Sequence, residues 1–263
     1  MIRTASLLRV RAAAALASLL LAVSAFAGEV HAITSGAFTE AFRELVPQFE
    51  KRTGHGVKSS FGASMGNAPD AIPTRFARGE QFDVIILARS ALDQFVKEGR
   101  VVPGSQVDLG LSKIGVAVRA GAPKPDVSTV EALRRTLLEA KSIAYSASAS
   151  GTYLSTELFQ KLGVAEQVMP KSKRILSERV GTVVARGDAE LGFQQVSELL
   201  PISGIDYVGE LPDEVNQIVP FSAGIVVGAK DPETAREFIR YLSSSEAAPT
   251  IAKTGLVPPK RRD

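Results

Sequence analysis

The chain has no cysteine and no tryptophan, and only two histidines in 263 residues. Without cysteine there is no disulfide framework, no thiolate zinc site, no iron–sulfur cluster and no cysteine nucleophile. His31 and His55 alone offer little for an imidazole-based metal site. No P-loop, dinucleotide-binding glycine fingerprint, zinc motif or calcium loop occurs, so neither a cofactor nor a metal is expected. A real charge excess is missing too. The formal +3 comes from 31 basic and 28 acidic residues, and Arg3, Arg9 and Arg11 stand in the first 27 residues with no acid beside them. From residue 28 onward 28 basic residues face 28 acidic ones. With no basic helix and no aromatic platform, a nucleic-acid partner is not expected.

One apolar run stands out, at residues 12–23, and it is short for a membrane span. The arginines precede it and Ala25-Phe26-Ala27 follows it, the order of a secretory signal peptide with a small-residue cleavage site. Residues 1–27 are therefore read as a signal peptide. The mature chain is expected to start at Gly28 and to work in the periplasm with no membrane span. Its composition, 45% hydrophobic and 22% charged, is that of an ordinary globular protein.

Strand and helix patterns alternate along the rest. Strands are predicted at 30–34, 57–61, 82–87, 113–119, 143–145, 190–193 and 218–227. Phe38, Phe42, Leu45, Val46 and Phe49 recur at helical spacing on one face. Further helices are predicted at 70–77, 90–98 and 177–186, after Ser128 (with Glu131 completing a capping box), after Ser150-Gly151, and from Asp231-Pro232. The alternation predicts an α/β fold with parallel sheets. Long strands near 113–119 and 218–227 bracket the middle block, as if the chain crosses to a second lobe and returns. Lobe I is expected at 28–112 and 225–263, lobe II at 113–224, with a ligand cleft between them.

Small, hydroxyl-rich turns follow three strands: Ser35-Gly36, Gly62 to Gly66 around Ser64, and Ser146 to Thr152, which includes Ser150. Such turns, next to helix N-termini, suit an anion, although ordinary helix capping also places serine there. Gly62-Ala63-Ser64-Met65-Gly66 matches a nucleophile elbow, but both histidines precede Ser64, which is the wrong order for that triad. Arg89 directly follows an apolar strand, where side chains reach the ligand crevice of an α/β sheet. Arg179 sits at a helix start, a poor local place for a cation. Either arginine could hold a carboxylate or bridge the surface. Gln194 and Gln195 end a strand, where amides bind a ligand or brace the backbone. His31 and His55 read as structural.

With these residues in view, the mature chain resembles the molybdate-binding family of type II periplasmic binding proteins. The resemblance is carried by ITSGAFTEAF (33–42), SSFGASMG (59–66), RFARGEQFDVIILA (75–88), SGTYLSTELFQKLG (150–163) and VARGDAELGF (184–193). It implies a two-lobe fold with an oxyanion held by hydroxyls and backbone amides. The chain departs from the pattern where Ala37 replaces a ligand serine, Gln195 a ligand tyrosine and Arg89 a strand-end aspartate. These changes favour a larger carboxylate over a small tetrahedral oxyanion. The runs at 112–133, 149–159 and 192–199 are similar to the aconitate isomerase branch of the family. That branch implies a cofactor-free interconversion of trans- and cis-aconitate by allylic proton transfer.

On this reading Ser35, Gly36, Ser64, Arg89, Ser150, Thr152, Arg179 and Gln195 bind a tricarboxylate. Tyr153 and Glu178 are the catalytic candidates, with Asp70 and His31 behind them. The alternative is a solute-binding protein that delivers a carboxylate or an oxyanion such as molybdate to an ABC permease. It would use the same cleft and need no base.

Overall fold

In a computed structural model, which describes residues 28–259, the first predicted strand is β1 (Glu29–Ser35). The predicted signal peptide lies outside the described residues. After a short 3-10 turn, α1 (Thr39–Thr53) buries Phe42, Leu45, Val46 and Phe49 and ends at Gly54, whose positive φ no branched residue would tolerate. Then follow β2 (Gly56–Gly62), α2 (Ile72–Ala77), β3 (Val84–Ala88), α3 (Arg89–Lys97) and β4 (Val107–Ser112). The chain passes through Lys113 into β5 (Ile114–Arg119), α4 (Val130–Glu139) and β6 (Ile143–Ser146). A helical stretch comprises α5 (Ala149–Tyr153), a π-helical turn and α6 (Phe159–Lys161). The last elements are α7 (Ala165–Val168), β7 (Ser172–Ile175), α8 (Val180–Arg186), β8 (Leu191–Gln195), α9 (Val196–Leu199), β9 (Ile205–Glu210), β10 (Val219–Ile225), α10 (Pro232–Leu242) and α11 (Ala248–Lys253).

The strands form two five-stranded sheets, ordered β2-β1-β3-β10-β4 and β7-β6-β8-β5-β9. The parallel expectation holds for the β2-β1-β3 and β7-β6-β8 triplets. Both sheets are nevertheless mixed. β10, arriving from the second lobe, runs antiparallel to β3 and β4, and β5, arriving from the first, runs antiparallel to β8 and β9. Each strand that crosses between the lobes therefore inserts against the local direction. The strands that hydrophobic patterning did not reveal, β4, β7 and β9, are all sheet edges. An edge strand has one pairing partner and a solvated side, so its apolar pattern is weak.

Two large cores separate the lobes. In the first, Phe238 meets Phe42 and Phe49 edge-on at 5.9 and 5.0 Å. The second gathers Ile114, Val116, Leu154, Phe159 and Phe193. One cap differs from expectation: Thr129, not Ser128, accepts the Ala132 N–H, while Ser128 Oγ donates to Asp126. Asp231 caps α10 as expected, with Pro232 in the first turn.

Candidate functional site

The terminal residues of β1, β2, β6, β7 and β8 (Ser35, Gly62, Ser146, Ile175 and Gln195) all line one cleft between the lobes, of about 240 Å³. The carboxyl edges of parallel strands are where open α/β sheets receive ligands. Two close approaches shape the wall. A Cβ on Gly151 would lie 1.7 Å from Ser146 O, and one on Gly36 would lie 1.9 Å from Glu198 Oε1. Glycine is required at Gly151, where the clash is with backbone, whereas a Cβ at Gly36 would displace the Glu198 carboxylate.

The cleft is rich in donors. Ser35 and Gln195 are buried, at 1% and 2% exposure, and neither side chain has a hydrogen-bond partner among the described residues. Buried polar groups are normally satisfied, so these atoms are set up to meet a polar ligand. Ser64 Oγ accepts the Ala88 N–H at 3.0 Å, which leaves its own proton to donate. Ser146 and Ser150 share a hydrogen bond at 3.1 Å, so one hydroxyl proton of the pair remains available. Thr39, Ser148 and Ser177 complete the hydroxyl lining.

Arg179, the residue capping α8, reaches across the cleft and donates to Glu40 Oε1 at 2.7 Å. Arg43, on the same helix as Glu40, approaches that oxygen at 3.3 Å and lies over the Phe61 ring. Two guanidinium groups thus converge on one carboxylate oxygen at the mouth.

Glu198 stands deeper in the wall, on α9. Gln194 Nε2 donates to its Oε1 at 2.9 Å, and Gln194 is itself pinned by the Val180 N–H on Oε1. Burial pushes the Glu198 carboxyl up to about 7, against the opposing pull of Arg179 and Gln194.

Of the residues singled out in the sequence, Ser35, Gly36, Ser64, Ser150, Arg179, Gln195, Glu178 and Asp70 line this cleft. The structure does not bring Arg89, Thr152 or Tyr153 to its lining. Arg89 follows a strand as expected, but Asp93 and Asp108 take its guanidinium at 2.8 and 2.9 Å. Thr152 Oγ1 faces Met65 Sδ at 3.9 Å. Tyr153 packs in the lobe II core and its hydroxyl donates to Val215 O, so it is not placed to take a proton from a ligand. Glu178 reaches the cleft, but Arg186 forks onto both its oxygens and holds its carboxyl below the usual range. A tied, acidic carboxylate is a poor base. His31 hydrogen-bonds Ser60 and lines a separate cavity. Asp70 keeps one buried oxygen without a hydrogen-bond partner among the described residues.

Arg43 and Glu198 were not singled out by sequence reasoning. Arg43 sits on the exposed face of an amphipathic helix, where a cation needs no explanation. Glu198 had one signal: it lies three residues beyond Gln195, within a run that carried the family resemblance.

The model for bacterial extracellular solute-binding proteins matches residues 30–257. The chain is 46% identical over 226 residues to an aconitate isomerase from a Pseudomonas species, covering 86% of each chain. It is 30% identical over 240 residues to a molybdate-binding protein of Rhodobacter capsulatus, covering 90% of this chain and 91% of that one. The periplasmic molybdate-binding protein of Azotobacter vinelandii superposes with a TM-score of 0.71 at 22% identity, over 88% of this chain and all of that one, which speaks for the fold. The matched region takes in both sheets and the cleft residues, and on that ground this chain belongs to the bacterial extracellular solute-binding protein family.

Proposed function

We infer that this protein is a cofactor-free isomerase that interconverts trans- and cis-aconitate by allylic proton transfer on a tricarboxylate held between the two lobes. The observation that carries this reading is the 46% identity to an aconitate isomerase over 86% of both chains. The cleft chemistry supports it. Removing a methylene proton from aconitate spreads negative charge over an allyl unit and its carboxylates. Preorganised donors aimed at that charge lower the barrier. Ser35, Ser64, Gln195 and the Ser146–Ser150 pair supply such donors, and Arg43 and Arg179 supply positive charge at the mouth. Ala37 and Gln195 line the positions where the resemblance implies a hydroxyl-bearing ligand residue in molybdate binders. That favours a carboxylate ligand over a small tetrahedral one. Export through the signal at residues 1–27 would bring the enzyme to the periplasm.

A second reading rests on the family description and the molybdate-binding relatives: a binding component that hands a carboxylate or an oxyanion to an ABC permease. One experiment separates them. The purified protein is mixed with trans-aconitate and the cis isomer followed by chromatography. Turnover is the expected result. No turnover, with tight calorimetric binding of a carboxylate or of molybdate, would overturn the isomerase reading in favour of the second.

A further inference from the structure

We propose that Glu198 is the proton-transferring residue of the cleft, acting as a single base that removes the proton from one end of the allylic unit and returns it to the other. The assignment rests on the isomerase reading and names the group that the reaction needs.

Glu198 lines the cleft and is partly exposed, on the short helix α9 that directly follows β8. Its Oε1 is fixed by Gln194 and abuts Gly36, while Oε2 has no hydrogen-bond partner among the described residues. One oxygen is therefore held by an amide, and the other carries no such bond among the described residues. The other acids in or beside the wall are less suited. Glu178 is forked onto Arg186, and Glu40 is claimed by Arg179 and Arg43. Asp70 lines the cleft from the opposite lobe, but among the described residues no side-chain hydrogen bond orients its carboxylate as Gln194 orients that of Glu198.

Among the described residues, few charged groups surround Glu198. From α8 comes Arg179, and from α1 come its partner Glu40 and Arg43. β8 contributes the neutral amides Gln194 and Gln195, the 3-10 turn after β1 contributes Gly36, and β5 turns Ile114 and Val116 into the lobe II core. Burial raises the carboxyl to about 7, against the lowering pull of Arg179 and of the Gln194 hydrogen bond. A base of that strength can both take and return a proton at neutral pH.

The step balances without a co-reactant. The methylene C–H bond of trans-aconitate breaks and an O–H bond forms on Glu198. The electron pair spreads over three carbons and the adjoining carboxylates. The Glu198 O–H bond then breaks, a C–H bond forms at the former vinyl carbon, and the double bond stands between the other two carbons. If the chain is turned to the cis arrangement when the proton returns, cis-aconitate leaves and the carboxylate is regenerated.

The test compares the wild-type protein with Glu198→Gln, using trans-aconitate in calorimetry, in a chromatographic turnover assay and across a pH series. Removing a general base typically lowers rate by about 10²–10⁴-fold. The expected result is a loss of kcat in that range, with trans-aconitate affinity within about tenfold of wild type, since a binding residue would instead lose affinity. Wild-type kcat should rise with pH along a limb near 7, and that limb should be gone from the residual activity of the variant. Turnover by Glu198→Gln at a wild-type rate, or a wild-type profile flat from pH 5.5 to 8, would overturn the assignment. The flat profile would do so even if the variant failed to fold. Absence of turnover in the wild type would instead overturn the isomerase reading itself.

Discussion

Gly36 and Glu198 meet across the cleft so closely that a Cβ added to Gly36 would lie 1.9 Å from Glu198 Oε1. The first turn of one lobe thus seats the Glu198 carboxylate of the other. Gly36→Ala should push that carboxylate off Gln194. The expected outcome is a fall in kcat of at least about tenfold, with a stability loss of about 1–3 kcal/mol from overpacking. Steady-state kinetics and thermal melting check both.

The raised Glu198 carboxyl also sets a direction for stability. Its folded value of about 7 exceeds the ordinary value of 4.5, so the folded state holds an extra proton between the two. The contribution is full below about 4.5 and is lost as pH rises through about 7. Glu198→Gln should remove that loss and stabilise the protein above pH 7 by up to about 3 kcal/mol relative to its effect at pH 4.5. Denaturant midpoints at the two pH values measure it.

Arg179 is paired with Glu40 across the lobes at 2.7 Å, so a carboxylate ligand must compete with Glu40 for the guanidinium. Arg179→Ala should weaken trans-aconitate binding by about 1.5–3 kcal/mol, the worth of a hydrogen bond to a charged group. Glu40→Gln should tighten binding by several-fold, because it frees the same group. Calorimetric titration of the two variants against wild type would expose a wrong assignment if both moved affinity in the same direction.

Arg89 is spent on Asp93 and Asp108. Arg89→Ala is expected to leave trans-aconitate affinity within about twofold and to cost no more than about 1 kcal/mol of stability, the range of partly exposed ion pairs. Calorimetry and thermal melting give the two numbers.

Tyr153→Phe removes one hydrogen bond, to Val215 O, from the lobe II core. A cost of about 1 kcal/mol and an unchanged kcat are expected, since the hydroxyl does not face the cleft. A kcat loss beyond tenfold would return Tyr153 to the reaction.

Local pattern made much of this molecule legible. The apolar spacing of Phe38, Phe42, Leu45, Val46 and Phe49 marked α1, and those side chains are all buried. The continuous apolar run before Arg89 marked β3, buried along its whole length. The hydroxyl-rich turns at Ser35, Ser64 and Ser150 were visible because strand ends and turn residues stand next to each other in the chain. Such features depend on neighbours a few residues apart, so the sequence by itself determines them.

The fate of the charged side chains was decided by the tertiary structure. Arg179 and Arg89 look alike in sequence, each an arginine at the start of a helix. One meets Glu40, 139 residues away, across the cleft, and the other is captured by Asp108 on β4. Glu198 looks like a surface residue of a short helix until Gly36, from the far end of the chain, closes against it. A carboxylate's strength depends on what surrounds it in space, and here the two crossings between the sheets set those surroundings. The order of strands and helices was written locally, whereas the chemistry of the cleft came from contacts between lobes that no local pattern encodes.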